Sequence, residues 1–92
     1  MKTAVVTVVH GRASHLRNQL LGLQNSGRAP DLHVIVAIDD HTVQGTVSGC
    51  GARATVVHCR GSGAHLPVAH ARNIGARTAL ERGAEVLVFL DV

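Results

Sequence analysis

Short runs of β-branched and aliphatic residues recur along the chain, separated by stretches with helical spacing or by glycine-rich sequence. Residues 2–9 are a short β-branched run without clear alternation, the pattern of a strand covered on both faces. Residues 10–13 interrupt that run. Ser14 stands where an N-cap is expected, ahead of Leu16, Leu20 and Leu23 at i, i+4 and i+7. Gly27 fits the C′ position of this helix, and Pro30 prevents continuation. Residues 32–38 form a second apolar run that ends at Asp39-Asp40. Residues 41–53 contain Gly45, Gly49 and Gly51, which predicts a loop with at most a short helix. Residues 54–59 read as a third strand and residues 60–66 as a loop. Pro67 suits the first turn of a second long helix. Its inner face gathers Ala71, Ile74, Gly75, Thr78 and Ala79, small enough for close packing on a sheet. Gly83 ends that helix, and residues 85–90 read as a fourth strand.

Strands that alternate with helices imply a parallel sheet with right-handed crossovers. The expected fold is a three-layer α/β/α Rossmann-like sandwich, with four mainly parallel strands in the order 3-2-1-4. There is no internal repeat and no low-complexity segment. The last strand is strongly apolar and only two residues follow it. Residues 1–92 are therefore expected to be one partial domain of a longer protein.

Composition narrows the picture. Hydrophobic residues make up 46% of the chain and charged residues only 16%, a balance that supports a packed core and argues against disorder. No apolar run approaches the roughly 18–20 residues needed to span a bilayer. The opening run is too short for a signal peptide, so a cytoplasmic chain without a membrane segment is expected. A net charge of +3 raises the question of nucleic acid. The arginines are spread singly, however, and Phe89 is the sole aromatic residue, which leaves no stacking platform. One small anionic ligand fits the surplus better. Cys50 and Cys59 lack CxxC spacing and are expected to be reduced thiols. Cys50, His58, Cys59, His65 and His70 contain no ligand knuckle of the kind that holds zinc.

A parallel sheet collects the carboxyl ends of its strands at one edge, where ligands bind at the topological switch point. That edge would gather His10 after the first strand, Asp39 and Asp40 after the second and Asp91 after the fourth. Strand-end aspartates often do no more than shape turns. Three at one edge would repel an anion unless a divalent cation bridged them. The chain has neither G-x-G-x-x-G after its first strand nor a P-loop, which argues against dinucleotide-binding and P-loop classes.

Four segments together resemble glycosyltransferase family 2, in the nucleotide-sugar-binding half of its GT-A fold. They are Val5-Val6-Thr7-Val8-Val9-His10-Gly11-Arg12, Val36-Ala37-Ile38-Asp39-Asp40, Ala71-Arg72-Asn73-Ile74-Gly75-Ala76 and Val88-Phe89-Leu90-Asp91-Val92. The last is similar to the lead into an Asp-x-Asp metal motif whose second acid would fall beyond Val92. His10-Gly11 stands where the family often has an aromatic residue and Asn, and His41-Thr42 also departs from its pattern. The resemblance implies transfer of a sugar from a nucleotide-diphosphate donor, UDP-linked or similar, to an unknown acceptor, with Mn²⁺ or Mg²⁺ assistance and inversion. It implies that Asp40 accepts a hydrogen bond from the base, that His10 flanks it and that Arg72 meets the nucleotide or diphosphate. Asp91 would lie near the sugar and the metal, and Gly11, Arg12, Asp39 and Asn73 are further candidates. The catalytic base would belong to an acceptor half outside this chain. Two other readings remain: a non-catalytic α/β interaction module with structural acids, and a sugar nucleotidyltransferase fragment. The second would carry a Gly-rich, Arg-containing loop where His10-Gly11-Arg12-Ala13 stands.

Overall fold

The computed structural model describes residues 1–27, 29–61 and 67–90. Strands β1 (Thr3–Val9), β2 (Leu32–Ile38), β3 (Thr55–Cys59) and β4 (Val86–Phe89) alternate with helices α1 (Ala13–Gln24), α2 (Val43–Gly49) and α3 (Val68–Glu81). The strands form one sheet in the order β3-β2-β1-β4. All three pairings are parallel. The expected architecture and strand order are therefore present: a Rossmann-like α/β sheet flanked by three helices.

Covering both faces is why β1 and β2 read as apolar runs without alternation, with Thr7 and His33 the only polar residues between their ends. On one face Ala4, Val6, Val34, Val36 and Ile38 pack against Ala71 and Ala79 of α3. On the other, Val9, Ile35 and Ala37 pack against Leu16 and Leu20 of α1 and Val43 and Val47 of α2. Ile35 and Ile38 are fully buried, and removing each from water contributes on the order of 2–3 kcal/mol. α3 approaches unusually closely at Gly75, where an added Cβ would run into Val6 and come within 3.0 Å of Val36 Cγ2.

The ends of the elements differ from expectation in small, explicable ways. α1 begins at Ala13 with Arg12 as N-cap, and Ser14 lies inside the first turn without a capping role. Gly11, at φ +62°, turns the chain so that Leu16 N–H already reaches the Arg12 carbonyl at 2.9 Å. At the other end Asn25 is the C-cap, and Gly27 follows two residues later with φ +72°. The helix stops early because Asn25 N–H bonds the Leu21 carbonyl while Ser26 N–H and Oγ both bond Leu23. Pro67 is the N-cap of α3 and Val68 its first residue, a shift of one position. The glycine-rich segment after β2 contains the short helix α2, held by buried Val43 and Val47. The proposed loop at residues 60–66 lies outside the described residues from 62 onward.

Candidate functional site

The chain runs outward from β1 to β3 and then returns to place β4 on the other side of β1. That reversal makes the carboxyl end of β1 a topological switch point, the position at which such sheets take ligands. His10 and Gly11 follow β1 directly there, and Asp39 and Asp40 follow β2 one strand away.

A hydrogen bond joins two of these four directly, Gly11 and Asp40. Asp40 is buried, at 8% exposure, and its Oδ2 accepts Gly11 N–H at 2.9 Å. Its Oδ1 accepts both the backbone N–H and the hydroxyl of Thr42. The Thr42 hydroxyl, with help from the Gly11 and Thr42 N–H groups and from His10, holds the Asp40 carboxyl below its ordinary pKa, against the opposing effect of burial. Asp40 is thus an ionised acceptor anchored to two turns. His10 is exposed, and its Nδ1 lies 2.7 Å from the Ile38 carbonyl. A carbonyl only accepts, so Nδ1 carries the proton and the bond orients the ring.

Asp39 faces the other way. It adopts φ +47°, a left-handed conformation that Asp tolerates better than most residues. Its N–H bonds the Cys59 carbonyl and its Oδ2 accepts Gly61 N–H, both at 2.9 Å. A cleft of about 290 Å³ there is lined by Asp39, Asp40, His41, His58, Cys59 and Arg60. The His41 and His58 rings stand 5.8 Å apart, tilted by 35°. Cys59, its neighbour on β3, is buried while His58 is exposed, as residues on opposite faces of a strand must be.

The remaining candidates are less closely joined to this group. Arg12 is exposed, and its Nη1 approaches His15 Nδ1 at 3.5 Å. Arg72 is half-buried and Asn73 exposed, both near the start of α3. Asp91 and His65 lie outside the described residues. The divalent metal implied by the resemblance depends on Asp91. Among the described residues no group of three or more His, Cys, Asp or Glu side chains is placed to hold a cation. Asp39 and Asp40 fit as acceptors of N–H groups, and no metal site is assembled from them.

Two contributors were not singled out from sequence. Thr42 completes the Asp40 cluster, and the Asp-x-Thr spacing, which favours a side chain bonding the backbone two residues on, is the signal that marks it. The meeting of His41 with His58 depends on the β2–β3 register, which pairs Ala37 with His58 and which no local pattern encodes. No described helix is long and apolar enough to cross a membrane. No family model matches the chain, and no curated protein or solved structure matches it either.

Proposed function

We propose that this chain is the nucleotide-binding part of a sugar-transferring enzyme, taking a nucleoside-diphosphate sugar at the carboxyl edge of its sheet. The observation that carries the reading is the Asp40–Gly11–His10 arrangement beside the switch point. Oδ2 of Asp40 accepts one hydrogen bond from the described residues, and a carboxylate oxygen can accept two. Its second lone pair suits the imino N–H of uracil, whereas cytosine offers an unprotonated ring nitrogen at that position. The His10 ring, locked through Nδ1, supplies a flat face beside the base. Arg72, in the first half of α3, is the cation this reading assigns to the diphosphate. Asp91 remains the residue to which Mn²⁺ or Mg²⁺ is tied in this reading, and no chemical step is assigned to the cation.

Calorimetric titration of the 92-residue chain with UDP, CDP and GDP tests the reading. UDP is expected to bind most tightly, and Asp40→Ala is expected to weaken it more than Asp39→Ala. Equal affinity for UDP and CDP, or equal losses from the two substitutions, removes Asp40 as the base reader. Absence of binding by any nucleotide favours the alternative, an interaction module whose acids only shape turns.

A further inference from the structure

A second cleft, of about 490 Å³, opens at the opposite, amino-terminal edge of the sheet. That volume falls within the roughly 300–1,000 Å³ typical of small-molecule sites. Its apolar wall is formed by Leu20 and Leu23 from the last turns of α1 and by Pro30 ahead of β2. Its polar side chains are Gln24, Asp31, His33 and Arg53. Gln24 Nε2 bonds the Cys50 carbonyl at 3.1 Å and so ties the end of α1 to the segment that carries Arg53.

His33 is the unusual member, a histidine at 6% exposure inside a sheet of aliphatic residues. The Thr7 hydroxyl donates to Gln19 Oε1 at 2.8 Å, so its oxygen receives the His33 Nε2–H at 2.9 Å. That assignment makes Nδ1, which has no partner among the described residues, an acceptor on a ring that lines the cleft. Burial also lowers the His33 pKa to about 4, which keeps the ring neutral near pH 7. Asp31 Oδ2 accepts Thr3 N–H at 2.8 Å, which fixes the carboxylate of this lining residue. Arg53 is exposed and forms no ion pair with any described residue.

One cation, one carboxylate and one neutral acceptor around an apolar wall match a small zwitterion. We infer that this cleft binds an α-amino acid with an apolar side chain. Its carboxylate meets Arg53, its ammonium donates to Asp31 and His33 Nδ1, and its side chain lies on Leu20, Leu23 and Pro30. The site shares no residue with the carboxyl edge, so its failure leaves the nucleotide reading untouched.

Leucine is the probe. Titrating it into the full chain while following the His33 ring resonances by NMR is expected to give a saturable shift. Arg53→Ala removes an exposed side chain and is expected to weaken binding at least tenfold with the fold retained. 4-Methylpentanoate, which lacks the ammonium group, is expected to bind at least tenfold more weakly than leucine. No saturable shift of His33, an unchanged affinity in Arg53→Ala, or equal binding of 4-methylpentanoate would each overturn the assignment.

Discussion

Asp39 and Asp40 are adjacent and chemically identical, yet backbone geometry gives them separate tasks. At Asp39 the chain turns through φ +47°, which sends one carboxylate to Gly61. Asp40 then receives Gly11 and Thr42, joining the turn after β1 to the entry into α2. Gly11 itself needs its glycine, because at φ +62° a Cβ would be strained. Removing the Asp40 carboxylate leaves two N–H groups and a hydroxyl without their acceptor, in a place only 8% exposed. Hydrogen bonds to a charged group contribute on the order of 1.5–3 kcal/mol, so Asp40→Ala is expected to cost about 2 kcal/mol in urea denaturation of the nucleotide-free protein. Asp39→Ala gives up one exposed hydrogen bond and places Ala in a left-handed conformation, for about 1 kcal/mol. Equal costs would mean that Asp40 is not the pin between the two turns. Measuring these costs without nucleotide also separates them from any effect on binding.

At the scale of elements, α3 is held against the sheet by absence of side chain rather than by bulk. Ala71, Gly75 and Ala79 are its buried residues, spaced four apart. Gly75 sits over Val6 and Val36, which are 1% and 0% exposed and stiff at χ1, so neither can move aside. Alanine favours a helix interior over glycine by about 1 kcal/mol, whereas overpacking costs roughly 1–3 kcal/mol. The clash wins here, and Gly75→Ala is expected to lower stability by about 1–2 kcal/mol. A chemical-denaturation midpoint unchanged or raised in Gly75→Ala would show that α3 has room to lift from the sheet. The same helix shows what the sequence could convey. Its small-residue face was legible because spacing at three and four residues follows directly from helix geometry. The order of the strands was legible because alternating elements leave few topologies. Boundaries were less so, since the end of α1 rests on the bonds of Ser26 to Leu23 rather than on Gly27, and its start on the Gly11 turn rather than on Ser14. The carboxyl-edge acids could be read from strand ends and Thr42 from its Asp-x-Thr spacing, while the pairing of Asp39 with Gly61 depends on how β2 and β3 lie side by side.

For the molecule as a whole, the buried histidine sets the response to acid. His33 is neutral when folded, and burial moves its pKa from 6.5 to about 4. Above pH 6.5 both the folded and unfolded chains carry it uncharged, and its full stabilising contribution is present. As pH falls below 6.5 the unfolded chain takes up the proton while the folded chain does not, so stability declines. The decline ends near pH 4, where the folded ring is protonated as well. Across that window the loss amounts to about 3 kcal/mol, at 1.36 kcal/mol per unit of pH. Asp40 works in the next window down. Its depressed pKa stabilises the fold above its ordinary value of 3.8, and that contribution disappears as pH falls further. Between pH 6.5 and 5 only His33 of this pair is therefore active, and unfolding free energy is expected to drop by about 2 kcal/mol over that interval. The size of that drop matters for a domain of this length, whose total stability is on the order of 5–10 kcal/mol. Urea denaturation at the two pH values measures the loss, and NMR titration of the His33 ring assigns it. A ring that titrates near 6.5 in the folded protein, or a stability that is flat between pH 6.5 and 5, would show that water reaches His33 from the amino-terminal cleft and hydrates its charge.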